Sequence, residues 1–129
     1  MMLKSMLAFL LIALSLPAFA GDPKAGAQVF KKCMACHAIG EGAKNKVGPE
    51  LNGLFGRTAG SVPDYNYSDA NKNSNIVWTP EIFAEYIKNP RAYLPGTAMA
   101  FAGLKKDKDI EDITAYLAQF NADGTMKSN

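Results

Sequence analysis

Apolar and polar positions follow a readable pattern in only a few stretches of this chain. From residue 6 to 16 apolar residues run almost unbroken, with Lys4 before them and Pro17-Ala18-Phe19-Ala20 after. A single positive charge, a short apolar run and a small-x-small site describe a secretory leader, residues 1–20, cut before Gly21. The competing reading, an uncleaved anchor, is opposed by a run shorter than the ~20 residues of a membrane span. Next, Asp22-Pro23 sets an N-cap before a proline at the first helical position, and Ala25, Val29, Phe30 and Cys33 recur on one helical face. This predicts a helix over about 23–34. Thr79-Pro80 repeats the start signal, Ile82, Phe83, Tyr86 and Ile87 follow at helical spacing, and Asn89-Pro90 stops the run. Asp107 is placed to cap a last helix with the apolar face Ile110, Ile113, Leu117 and Phe120, leaving a polar tail from about 121. No stretch has the period of a strand. The predicted fold is all-α, one domain over 21–129.

Between residues 38 and 78 the pattern is lost, and glycines stand at 40, 42, 48, 53, 56 and 60. Short helical turns near 49–55 and 68–73 are the only elements predicted there. A structureless loop of that length counts against an assignment in a small domain, unless it wraps a large rigid object. Composition points the same way. The 129 residues carry 14 basic and 12 acidic side chains, a net +2. Without residues 1–20, and so without Lys4, 109 remain at 13 basic against 12 acidic, or +1. Of these 109 only 20 are Val, Ile, Leu or Phe, a share close to that of disordered chains but without their high net charge. Something other than side chains has to complete the core. The mild charge excludes a nucleic-acid surface, and two cysteines cannot form a disulfide scaffold.

The missing object is indicated by Cys33-Met34-Ala35-Cys36-His37, which gathers both cysteines and the only histidine. Cys-x-x-Cys-His is the attachment signature of c-type haem. Two thiols one helical turn apart can add to the two vinyl groups of one porphyrin, and the next residue then brings its imidazole under the iron. The rival reading of a Cys-x-x-Cys pair, a thiol-disulfide oxidoreductase, requires a strand before the motif, and none is predicted. With no second histidine, the sixth iron ligand is a methionine or the site is open. Met34 lies on the wrong side of the ring and Met126 in the tail, which leaves Met99, presented by the Pro95-Gly96 turn. Its alternative role is gap-filling core.

These residues make the chain resemble the class I c-type cytochromes, of the bacterial cytochrome c2 and mitochondrial cytochrome c kind, almost without gaps from Gly21 to Phe120. The resemblance rests on the haem motif, Val47-Gly48-Pro49, Leu54-Phe55-Gly56-Arg57, Tyr67-Ser68-Asp69-Ala70-Asn71, Trp78, and the stretch from Asn89-Pro90 through Phe101-Ala102-Gly103. It implies three main helices, short turns and long loops around one covalent haem c. It further implies thioether links at Cys33 and Cys36, axial ligation by His37 and Met99, and a Pro49 carbonyl on the His37 ring N–H. By the same resemblance Arg57, Tyr67, Asn71 and Trp78 bond the haem propionates, Thr97 and Tyr86 sit near the methionine sulfur and the inner propionate, and Gly26 and Phe30 cross Ile113 and Tyr116. A loop offering arginine, tyrosine, asparagine and tryptophan suits two carboxylates that must leave water. Taken singly, Arg57 reads as a solvated charge and Trp78 as core.

Iron filled on both axial sides has no place for substrate, and a thioether favours the ferrous state, so the expected role is one-electron transfer and not enzymatic catalysis. The resemblance implies a periplasmic monomer taking electrons from a cytochrome bc1 complex and giving them to a terminal oxidase or a photosynthetic reaction centre. The alternative is a small haem peroxidase or gas sensor with a dissociable Met99. Lys31, Lys32, Lys46, Lys88, Arg91, Lys105 and Lys106 are expected to ring the haem edge for acidic partners, with Asp107, Asp109, Glu111 and Asp112 behind; the bland reading is a mixed, solvated surface. Two departures stand out. Ala92 and Ala98 occupy positions where many relatives carry lysines that displace the methionine at alkaline pH, and Asn45 replaces a frequent histidine, leaving a loop-pinning contact open.

Overall fold

The computed structural model describes residues 20–128, together with 8 and 10–12; the rest of the expected leader lies outside the described residues. Five helices follow in chain order: α1 (Pro23–Phe30), α2 (Asp69–Lys72), α3 (Pro80–Lys88), α4 (Pro90–Tyr93) and α5 (Asp107–Leu117). Among the described residues there is no strand, only isolated antiparallel bridges at Thr58 and Val77 and at Phe120 and Met126. No described helix is long and apolar enough to cross a membrane.

The predicted starts form as expected. The Asp22 carboxylate accepts from Lys24 N at 2.9 Å ahead of α1, and the Thr79 hydroxyl accepts from Ile82 N at 3.2 Å ahead of α3. Other boundaries differ. α1 ends at Phe30, and the attachment residues follow in tight turns in which His37 N donates to Cys33 O at 2.9 Å. Asp107 is the first residue of α5 and not its cap; that place falls to Lys106, with no side-chain cap bond, and Asp107 and Asp109 in the first turn face the positive end of the helix instead. Asn89-Pro90 ends α3 but also begins α4, because the Asn89 side chain accepts from Ala92 N. Of the two short turns expected in the loop, only the one at α2 is helical, capped by Ser68 on Asn71 N.

α1 and α5 cross with almost no space between them. A Cβ on Gly26 would lie 2.0 Å from the Asp112 carbonyl oxygen and 2.7 Å from Tyr116 Cβ, so only glycine admits this approach. Phe30 stacks tilted on Tyr116 at 5.4 Å, and Ile113 and Leu117, each 1% exposed, form the floor beneath. Burying such side chains stabilises the fold by about 1.5–3 kcal/mol each. Asp112, expected in the acidic surface behind the lysines, is 4% exposed and ties the helices together: it accepts from Asp22 N at 2.9 Å and from Lys108 Nζ at 2.7 Å.

The long loop is pinned by side chains. The open question at Asn45 resolves in favour of a contact: its Nδ2 donates to Pro63 O and its Oδ1 accepts from Glu50 N, both at 3.0 Å. Tyr65 donates to Val47 O at 2.6 Å, and the buried Asn52 amide exchanges two 2.8 Å bonds with the backbone of Gly40. The polar tail folds back as well. Asn121 N donates to Thr125 O, Lys127 N donates to Gln119 O, and Gly124 is buried against the Gly40 carbonyl.

Candidate functional site: a haem cleft

The loop, α3, the segment after α4 and the floor of α5 enclose a cleft of ≈ 310 Å³. Cys33, Cys36, His37, Arg57, Tyr67, Asn71, Trp78, Tyr86, Thr97 and Met99 all line it. Residues spread over sixty-six positions of sequence, 33 to 99, thus converge on one surface. Pro49 lines it too.

His37 is fixed on one side. Its Nδ1 donates to the Pro49 carbonyl at 2.6 Å, which orients the ring and leaves Nε2 as the nitrogen with a free lone pair. Gly48 makes room for the ring, since a Cβ there would come within 2.3 Å of His37 Cε1. Burial lowers the proton affinity of the imidazole, the bond to Pro49 raises it, and the nearby Arg57 and Lys46 charges lower it again. The net direction favours the neutral ring, the form that ligates metal.

Of the three methionines among the described residues beyond the leader, Met34 and Met126 are exposed and only Met99 lines the cleft. Tyr86 donates its hydroxyl to Met99 Sδ at 2.9 Å, and Met99 N donates to Thr97 Oγ1 at 3.2 Å. Of Thr97 and Tyr86, expected near the sulfur and the inner propionate, Tyr86 is the one whose side chain reaches the sulfur. Burial pushes the Tyr86 phenol up, a bond with Thr97 offsetting part of this, so it stays protonated and able to donate. The ring of Trp78 stacks edge-on against Tyr86 at 4.8 Å.

The thiols answer the oxidoreductase reading. Burial, and next the neighbouring Cys36 charge, push Cys33 up to about 11, with Lys32 acting the other way. A dithiol catalyst needs a depressed thiol instead.

The polar residues of the cleft lining suit carboxylates. Asn71 Oδ1 is buried without a partner, and its amide can turn end for end to offer N–H donors to an acceptor lying there. Tyr67 receives a 3.1 Å bond from Val62 N, which leaves its own hydroxyl proton to give. Arg57 donates to Glu50 O, to Glu50 Oε1 and to Asn52 O, using three of its five N–H groups. A cleft lined by apolar side chains, two thiols, one anchored imidazole, one held thioether and buried polar groups fits haem c.

The cationic residues are divided. Lys31, Lys32, Arg91 and Lys106 are exposed and make no ion pair or side-chain bond among the described residues, and Lys32 lines the cleft. The other three are engaged: Lys46 Nζ donates to Met34 O at 2.7 Å, Lys88 pairs with Glu85 at 3.0 Å, and Lys105 Nζ donates to Lys88 O at 2.6 Å and Ala102 O at 3.2 Å. Sequence reasoning missed Glu50, Asn52, Tyr65 and Lys105 as organisers of the site. Their signal, a polar residue beside a glycine or proline turn, is too common to single them out.

Comparisons with known proteins agree. The family model for cytochrome c matches residues 23–121. The chain is 58% identical over 119 residues to a cytochrome c2 of Blastochloris viridis, covering 92% of this chain and 94% of that one. It is 61% identical over 103 residues to a cytochrome c-550 of Bradyrhizobium diazoefficiens, covering 80% and 76% respectively. The solved cytochrome c2 of Rhodospirillum centenum superposes with a TM-score of 0.75 at 41% identity, over 78% of this chain and 99% of that one. The chain belongs to the cytochrome c family, as a c-type cytochrome electron carrier rather than an enzyme, with one covalently attached haem c.

Proposed function

We propose that the chain is a mobile one-electron carrier of the bacterial periplasm, exported by residues 1–20 and cut before Gly21. In this reading Cys33 and Cys36 would hold the haem through thioethers, and His37 Nε2 and Met99 Sδ would ligate its iron. The observation that carries this is the joint fixing of both axial groups: His37 by Pro49 at 2.6 Å and Met99 by Tyr86 at 2.9 Å, on one cleft. When bound, haem iron supplies a ferric and ferrous couple that exchanges single electrons. The protein would hold both ligands in place and keep water from the apolar walls, and Asn71, Tyr67, Trp78, Thr97 and the free N–H groups of Arg57, all lining the cleft, would meet the propionates. A ligand set that does not rearrange suits rapid transfer. It also opposes the peroxidase and gas-sensor readings, which need Met99 to leave.

Export is supported by the packing at the boundary. Among the described residues Gly21 is seated on α5, where a Cβ would lie 1.9 Å from Glu111 O, whereas Ala20 is exposed. The proposed donor is a cytochrome bc1 complex, and the acceptor a terminal oxidase or a photosynthetic reaction centre. Docking uses the exposed rim near Val47, 75% exposed, and the unpaired Lys31, Lys32, Arg91 and Lys106. Such charges steer acidic partners into fast, salt-sensitive encounters.

Absorption spectroscopy of the purified protein tests the ligation. A c-type reduced spectrum, a far-red methionine-to-ferric band and no carbon monoxide binding are expected; a high-spin, carbon monoxide-binding iron would overturn it. For docking, neutralising Lys32 and Lys106 should slow oxidation by the acceptor and flatten its salt dependence, and unchanged rates would refute the rim.

A further inference from the structure

We propose that Glu50 tunes the haem couple, its fixed negative charge drawing the reduction potential below the value the same cleft would give without it. This rests on the haem reading above. Glu50 lies between Pro49 and Leu51, both of which line the cleft, and its backbone continues directly from the carbonyl that anchors His37.

Every polar group of Glu50 is engaged. Its N–H donates to Asn45 Oδ1 at 3.0 Å, and its carbonyl accepts from Arg57 Nη1 at 2.8 Å. Oε1 accepts from Arg57 Nη2 at 3.0 Å and Oε2 from Asn52 N at 2.6 Å. Both oxygens act as acceptors, as an ionised carboxylate requires. The charge is thus immobile, and at 12% and 20% side-chain exposure the Arg57 and Glu50 pair is shielded from most solvent screening.

The consequence follows from charge alone. The ferric state carries one more positive charge than the ferrous state, so a nearby fixed anion favours ferric iron and a nearby cation favours ferrous. Arg57 also lines the cleft, and unpaired it would present its full charge there. With Glu50 on its outer edge the two charges largely cancel. The guanidinium keeps its two backbone acceptors, Glu50 O and Asn52 O, whatever the side chain at position 50. Neutralising Glu50 therefore leaves Arg57 in place while releasing its field toward the iron.

The experiment is a redox titration of the holoprotein against mediators in the parent, Glu50→Gln and Glu50→Asp forms. Glu50→Gln should shift the ferrous-to-ferric equilibrium about three- to tenfold toward ferrous, ~59 mV per tenfold change for one electron. Glu50→Asp, which retains the charge, should stay within about twofold of the parent on the same scale. An unchanged or lowered potential in Glu50→Gln overturns the proposal, as does an equal rise in Glu50→Asp, which would trace the effect to shape. Should Glu50→Gln not yield folded holoprotein, Glu50→Thr, which keeps an acceptor for Asn52 N, is judged by the same criteria. A parent lacking the methionine-to-ferric band would instead overturn the ligation reading, so the two failures are separable.

Discussion

Replacing Gly26 with alanine sets two effects of opposite sign against each other inside α1. Alanine is the better helix former by ~1 kcal/mol, which stabilises. The new Cβ, however, would lie 2.0 Å from the Asp112 carbonyl oxygen, a backbone atom that no rotamer change can move. Ordinary contact begins near ~3.5 Å, so the helices must part by about 1 Å or more. That separation loosens the packing of Phe30 on Tyr116 and of the α5 floor below it. Overpacking of this kind costs about 3 kcal/mol or somewhat more, leaving a net loss of roughly 2 kcal/mol or greater after the helix gain. For a domain near one hundred residues, this lowers the melting temperature by about 8–16 °C. Thermal denaturation of the holoprotein, followed by far-ultraviolet circular dichroism, reads the change. A Gly26→Ala form as stable as the parent would show that the crossing has slack and that the argument from contact distance is wrong.

The other predictions concern the ligands, the acid limit and the core. Tyr86→Phe removes the donor on Met99 Sδ; under the proposed ligation the sulfur then gives more electron density to iron, and the potential should fall in a redox titration, while a rise would contradict the bond at 2.9 Å. The Lys108 ammonium and the Asp22 amide hold Asp112 below the ordinary carboxylate value of 3.8. Its contribution is therefore complete above that value and lost as pH falls through the depressed one, and urea midpoints measured against pH should show a steeper acid loss in the parent than in Asp112→Asn. With alanine at 92 and 98 and Lys105 committed to Lys88 O and Ala102 O, the far-red methionine band should survive to higher pH than in relatives bearing those lysines. A Cys33→Ala, Cys36→Ala form, unable to retain haem, should be largely unfolded by circular dichroism.

The parts of this protein legible in the sequence are those whose cause is local. α1 and α3 declare themselves because a cap, a proline and an apolar face fall within one or two turns of chain. The haem motif is legible for the same reason, its three reactive side chains occupying five consecutive positions. Met99 came from elimination, which worked only because so few candidates existed. Asp112 and Glu50 were opaque because their partners, Asp22 and Arg57, are brought to them by the tertiary fold, and a buried carboxylate reads in sequence like any surface acid. The tail reads as solvated for a related reason: its composition is polar, whereas its backbone bonds through Asn121, Thr125, Gln119 and Lys127 and packs Gly124 against Gly40. The roles proposed for Arg57, Tyr67, Asn71 and Trp78 were visible through resemblance, and the cleft gathers them at one surface.

The crossing of α1 and α5 also orders events during the making of the protein. Asp22 and Asp112, the residues that bind the two helices, are ninety positions apart. Cys33 and Cys36 follow directly after α1, long before α5 exists to complete the cleft they line. Contacts so distant in sequence cannot form before the whole intervening chain has been made, and closing so long a loop slows them further. For most of its synthesis the chain therefore presents both thiols in the open, whereas in the folded structure Cys33 is half-buried. A covalent step that needs access to those sulfurs belongs in that interval, and the same ninety-residue separation that delays folding keeps it open.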